Sequence, residues 1–226
     1  MLVMKAWLEI RWRLLFTLIF VAGPMYFAGR SSAEETTRML DVVSLTWLFC
    51  AVYLAGSGIR TQSPFRTTKG LHGSTLFTLS LPVTRLRLLA VRAGFGLLAV
   101  VAIIAFSSAA AWILFPLVRA GSTPADFLRW LLTTACCAAG FHAMSVLVST
   151  VLDEMWQIYA SFAAIFGLKW LTSKFPPPPS LDVFRVMTTG SPLLTHAVPW
   201  PAVSVCLCLA GILFLLAARV VETNEY

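Results

Sequence analysis

The residues of this 226-residue chain best suited to nucleophilic or metal chemistry are three histidines and five cysteines, and their spacing supports neither. His72, His142 and His196 are far apart and fall on three different levels of the topology that the apolar runs imply, so they cannot share a metal ion. Cys50, Cys136, Cys137, Cys206 and Cys208 all lie inside apolar runs with no CxxC spacing. They read as small buried hydrophobes rather than as a disulfide framework or a zinc site. The sequence has no GxxxxGK[ST] phosphate loop, no HExxH and no GxSxG, so it does not bind ATP by that route and presents no catalytic residues. His142 is the one ionisable residue near the middle of an apolar run. Such residues are candidates for a transport pathway by default; the competing reading is a neutral histidine hydrogen-bonded to a neighbouring helix.

Two carboxylate pairs are the remaining candidates. Glu34-Glu35 followed by Arg38 resembles the acidic pair of membrane-embedded CAAX-type proteases. The spacing there is one residue longer, and the histidine-bearing helices that complete such a site are missing, so a solvated outer loop with balanced charges is the simpler reading. Asp153-Glu154 stands at a helix start, where carboxylates favour the positive end of the dipole. The same pair could also meet a cytoplasmic partner.

The elements that must position these residues follow from composition. Hydrophobic residues make up 58% of the chain and charged residues 12%, with a mean hydropathy of +0.82. Soluble domains carry about 25% charged residues. A bilayer core about 30 Å thick takes about 20 apolar residues per helix, so the chain is read as an all-α, polytopic membrane protein. That excludes a self-contained soluble enzyme and a nucleic-acid-binding domain. The formal charge of +7 then belongs to basic cytoplasmic loops.

Six transmembrane helices are expected, at about 14–29, 40–58, 88–117, 127–152, 155–171 and 199–221, forming a single transmembrane domain over residues 1–226. Gly23-Pro24 predicts a kink in the first. Residues 1–13 read as an amphipathic interfacial helix rather than a cleavable signal, the alternative being a charged flank of the first span. Val3, Trp7, Ile10 and Leu14 share one face, and Lys5, Glu9 and Arg13 lie roughly opposite. The outer link at 172–198 contains the tract Pro176, Pro177, Pro178 and Pro179, and that tract is expected to be extended and stiff. Orientation follows from the loop at 59–87. Between Arg60 and Arg92 lie Arg60, Arg66, Lys69, Arg85, Arg87 and Arg92 with no acidic residue, which places that loop and both termini in the cytoplasm of an integral plasma (inner) membrane protein. Trp12, Trp130, Trp156, Trp170 and Trp200 fall near the expected interfaces.

The same loop has internal organisation. Glycine and serine end one segment at Gly73 and Ser74, and Ser74 can cap a short helix. Leu76, Leu79 and Val83 then lie on one side of it and Pro82 closes it. A short half-apolar helix of this kind is not stable alone and needs a groove to lie in. The run Gly73-Ser74-Thr75-Leu76-Phe77, Leu79-Ser80-Leu81-Pro82-Val83-Thr84-Arg85 and Leu88-Leu89 resembles the coupling segment of ABC-2 type transporter permeases. In that family a glycine-containing loop leads to a leu-ser-leu-pro-val-ser/thr-arg run just before the third span. Family members carry glutamates just ahead of the glycine, where this chain has Lys69, Gly70 and His72.

The resemblance implies the membrane subunit of an ATP-driven exporter, itself not an enzyme. Gly73, Ser74, Thr75, Leu76, Phe77, Leu79, Pro82 and Arg85 would form the partner-binding coupling helix, seated in a groove of a cytoplasmic ABC ATPase. ATP and Mg would be ligands of that separate chain, and no cofactor or metal would be held here. A second permease chain, identical or not, would complete the pathway within membrane lipid, and nucleic acid would not be a partner. Two other classes account for the composition. A secondary transporter or channel would place paired charges or broken helices at the midplane, where this sequence offers only His142 and the Gly23-Pro24 kink. A membrane scaffold or assembly factor would leave the organised 73–85 loop unexplained. The spans are rich in Leu, Ala, Val and Phe, which leans towards a lipophilic or amphipathic cargo.

Overall fold

The computed structural model describes residues 2–28, 36–55, 84–114, 122–152, 154–188 and 190–223. Among them are eight helices and no strand: α1 Leu2–Ala28, α2 Thr36–Tyr53, α3 Arg85–Leu114, α4 Pro124–Val151, α5 Glu154–Lys174, α6 Val183–Met187, α7 Pro192–Thr195 and α8 Trp200–Thr223. Three stretches, Arg85–Ala110, Pro124–Val151 and Trp200–Thr223, are long and apolar enough to cross a membrane, and Val42–Tyr53 is a shorter apolar stretch. The exterior matches. Leu98, Phe106, Ile113, Leu128 and Leu215 are between 63 and 71% exposed, a surface suited to lipid rather than water.

Helices α3, α4 and α8 begin and end within a few residues of three of the six expected spans, whereas the first expected element differs. Leu2–Ala28 is one unbroken helix, so the surface segment expected at 1–13 and the first span expected at 14–29 are a single element. Its inward stripe is Ile10, Thr17 and Val21, with Leu14 and Leu18 half-buried, whereas Trp7 and Trp12 face outward. The link at 172–198, read from sequence only as a proline-rich connection, folds after its proline tract. Leu181 N and Asp182 N both donate to Pro178 O, closing a turn after the prolines. Asp182 Oδ1 accepts from Phe184 N and Arg185 N and so caps α6. Val186, Met187 and Leu193 then join the core around Val43, Trp47 and Trp130, and Ser44 Oγ donates to Met187 O at 2.9 Å.

Helix α4 is the centre of the bundle, packing against α2, α3, α5, α6, α7 and α8. Its tightest partner is α8, through small residues on both sides. Cys137, Ala138 and Ala143 of α4 and Ala202, Cys206 and Ala210 of α8 are all buried. A Cβ added to Gly140 would lie 3.5 Å from Cys206 O, close approach of the kind small residues permit between apolar helices. The cysteines are free; Cys50, Cys137 and Cys206 are buried, Cys136 is half-buried and Cys208 is exposed.

The start of α4 is tied to the link by one carboxylate. Thr123 and Asp126 form a capping box: Asp126 N donates to Thr123 Oγ1, and Thr123 N donates to Asp126 Oδ2 at 3.1 Å. Thr123 Oγ1 also donates to Oδ2, at 2.7 Å, and His196 Nδ1 lies 2.7 Å from the same oxygen. Arg129 donates to Asp126 Oδ1 and to His196 O, closing the knot. His196 is the C-cap of α7 and has a left-handed backbone, φ 56°. Asp126 is 2% exposed, so the knot shields its carboxylate from solvent. Asp126→Ala leaves Thr123 as the cap but removes the reciprocal half of the capping box and both ties, and should lower stability by about 1–3 kcal/mol. Thermal unfolding in detergent measures this, and an unchanged transition would show that the knot does not hold the link.

Candidate functional site

The most polar part of the interior surrounds the end of α2. The last carbonyls of any helix lack intrahelical donors, and an apolar environment has no water to replace them. In α2, Leu54 N returns to Cys50 O at 2.9 Å, whereas Ala55 N turns to Val52 O at 3.3 Å and leaves Ala51 O unclaimed by backbone. Side chains from two other helices take over. His142 Nδ1 lies 3.1 Å from Ala51 O, Ser145 Oγ donates to Val52 O at 3.3 Å, and Arg13 donates to Tyr53 O at 3.4 Å. His142 and Ser145 are three residues apart on one face of α4. The Arg13 guanidinium also lies over the Tyr53 ring, 5.6 Å from its centre.

His142 joins three helices. It is fully buried, and its Nε2 lies 3.1 Å from Ala93 O of α3. Gly96, one turn further along α3, makes room for the ring. A Cβ there would be 2.8 Å from His142 Cε1 and would also strike Leu54 O. Both ring nitrogens thus face carbonyl acceptors, but a neutral imidazole has one N–H. It can donate to α2 or to α3, not to both at once.

Ser145 extends the seam to α5, accepting from Gln157 Nε2 at 3.0 Å and from Ser161 Oγ at 3.1 Å. All three side chains are buried, and Gln157 Oε1 has no partner among the described residues. A second polar contact lies nearer the other end of the bundle. Trp47 Nε1 donates to Ser107 Oγ at 2.8 Å, and the Trp47 ring packs 5.0 Å from that of Trp130. None of these groups pairs a nucleophile with a base, and no cluster of His, Cys, Asp or Glu among the described residues could hold a metal. What the seam can do is mechanical: it fixes α2, α3, α4 and α5 to one another through few, directional contacts.

Of the residues singled out in the sequence, His142 is at the centre of the seam, hydrogen-bonded to its neighbours. Arg85 opens α3, where Thr84 caps the helix by accepting from Arg87 N at 3.3 Å. Gly73, Ser74, Thr75, Leu76, Phe77, Leu79 and Pro82 lie outside the described residues, as do His72 and the Glu34-Glu35 pair. Their flanks are described. Ala55, Leu88, Leu89, Ala93, Val146, Ala217 and Val221 form one apolar cluster, so the described flanks at 55 and 88–93 lie at the end of the bundle where α8 finishes. Ser145, Gln157 and Ser161 were not singled out from sequence. Their signal was the spacing of His142, Ser145 and Ser149 on one face of α4, and of Gln157 and Ser161 on α5.

Comparison of the chain with protein-family models, with curated proteins and with solved structures gave no match.

His142→Leu keeps the volume but removes the one N–H that Ala51 O and Ala93 O share, and should cost about 1–2 kcal/mol in detergent unfolding. Wild-type stability would mean that the ring does not cap α2. Gly96→Ala should be at least as damaging, because the new methyl meets backbone as well as the ring; overpacking costs about 1–3 kcal/mol. Gly94→Ala is the control, since a Cβ there meets nothing within 4 Å. Equal melting of the two alanine variants would remove Gly96 from the joint.

Proposed function

We propose that this chain is the transmembrane subunit of an ABC exporter, a permease of the ABC-2 type. It would couple ATP hydrolysis on a separate cytoplasmic ATPase to movement of substrate across the membrane. The observation that carries the reading is the run from Gly73 to Arg85, with its leu-ser-leu-pro-val-thr-arg core, directly ahead of a long apolar helix. In this reading α1, α2, α3, α4, α5 and α8 are the six spans, residues 59–87 face the cytoplasm with both termini, and a second permease chain completes the pathway. The six basic residues between Arg60 and Arg92 support that orientation.

The buried seam supports the mechanical side. Residues 56–83 are flanked by α2 and α3, and His142 touches the backbone of both, at Ala51 and Ala93. A partner that grips the coupling segment would pull on two helices that one ring joins to α4. Because Thr84 caps α3 at its first turn, force applied just ahead of it would enter α3 as a rigid rod. ATP and Mg would remain on the partner, and the chain itself would catalyse nothing.

The test is purification of the full chain from its native membrane under mild detergent. The proposal expects a phosphate-loop ATPase to co-purify and the complex to hydrolyse ATP in a vanadate-sensitive way. Leu76→Asp or Phe77→Asp should abolish stimulated hydrolysis while insertion and dimerisation persist. A chain that carries no ATPase overturns the proposal and points to a scaffold. Uptake that follows an ion gradient and ignores ATP depletion overturns it in favour of a secondary transporter.

A further inference from the structure

A recess of about 290 Å3 opens between α2, the last turn of α5 and α6. Its lining includes Lys169 and Arg185, both exposed, and neither forms an ion pair with a described residue. Ser173 and Thr172 add hydroxyls beside Lys169. Apolar residues complete the lining: the half-buried Leu45 and Phe184, and Leu48 and Met187, which are almost wholly buried. One carboxylate lines the recess, Asp182, and its Oδ1 is already occupied by Phe184 N and Arg185 N. The cations therefore outnumber the acid, and the acid is partly spent in capping.

Two cations beside an apolar lining define an amphiphile with an anionic head. Arginine presents a planar fork of donors that matches phosphate oxygens, and lysine adds a mobile point charge. The volume is at the small end of the range for ligand pockets, which is roughly 300–1,000 Å3, enough for a headgroup but not for a whole lipid. Depth agrees with this. Trp170 is next to Lys169 and 62% exposed, and Trp200, at the start of α8, is 63% exposed. Exposed tryptophans mark the headgroup level of a bilayer.

We infer that this recess binds a phosphate anion presented on an amphiphile, with the phosphate of an anionic phospholipid between Lys169 and Arg185 and its glycerol and first acyl carbons against Leu45, Leu48 and Phe184. The site is independent of the exporter reading, because it uses none of the residues of the coupling segment or of the buried seam. It needs no cofactor and involves no bond chemistry.

The experiment is native mass spectrometry of the full-length protein, with phosphatidylglycerol titrated in as the probe and phosphatidylcholine as the zwitterionic comparison. Wild type should retain one phosphatidylglycerol in preference to phosphatidylcholine. Lys169→Gln and Arg185→Gln should each weaken retention by about fivefold, the contribution of one basic residue at an anionic surface. The double variant should lose the preference altogether. Lys174→Gln, which removes an exposed cation of α5 outside the recess, should leave it intact. Glycerol 3-phosphate, added as a soluble competitor, separates the two sources of phosphate. Competition at concentrations comparable to the lipid would overturn the lipid assignment, and weak competition supports it. Equal retention by wild type and the double variant, or equal loss in Lys174→Gln, would overturn the site. Each single variant changes only an exposed side chain, and its unfolding temperature is read in parallel, so a loss of binding in a folded variant is attributable to the recess.

Discussion

A helix that ends inside an apolar interior carries backbone carbonyls with no water to turn to, and the packing of this protein is organised around one such end. The last turn of α2 gives Ala51, Val52 and Tyr53 to His142, Ser145 and Arg13 in turn. Each donor comes from a helix that must lie in one register for the contact to form. A shift of one residue along α4 would turn both His142 and Ser145 away from α2, because they share a face by virtue of their spacing. Apolar surface tells helices to associate but not how far to slide. The three capped carbonyls supply that second instruction.

Helix α4 can serve this role because its other faces are inexpensive to pack. Against α8 it offers Cys137, Ala138, Gly140 and Ala143, and the two backbones approach closely. Against α3 it relies on Gly96 to admit an imidazole. The link after α5 then closes one end through Val186, Met187 and Leu193, and Asp126 fastens that closure to the first turn of α4. One helix thus holds the bundle together at its middle by hydrogen bonds to backbone, along its length by small residues, and at its start by a carboxylate.

The positions of the long helices were legible in the sequence because the apolar content of some twenty residues is a local property. The ends of α3, α4 and α8 fall within a few residues of the hydropathy reading for that reason. Two features were not local. The link at 172–198 reads only as a proline-rich connection, but Val183, Phe184, Val186, Met187 and Leu193 form helices too short for periodicity to reveal, and these pack into the core. The continuity of α1 through residue 13 was only the second reading, since charged residues at Lys5, Glu9, Arg11 and Arg13 look like a separate surface segment when the helix is not seen whole. At the candidate site, His142 was recognisable as an unusual residue in an apolar run. Its partners were not, because they are main-chain carbonyls at 51 and 93, and a carbonyl has no letter of its own. The capping box at Thr123 and Asp126 was present in the sequence as a threonine followed three residues later by an acid. It becomes informative only once His196 and Arg129 are seen to converge on the same acid.

The separation between Ala51 and His142 also has a consequence for how the chain is made. These residues are 91 positions apart. At a synthesis rate of about 5–20 residues per second, roughly 5–20 seconds pass between the two leaving the ribosome. Throughout that interval the last turn of α2 has apolar neighbours but no His142 or Ser145 to hold its carbonyls. The first three helices are therefore delivered before the part that locks them. They must wait beside water or the insertion machinery, and α2 reaches its final depth only when α4 arrives. Biogenesis of this protein is in that sense back-loaded, with the fourth long helix acting on the second after the third is already in place.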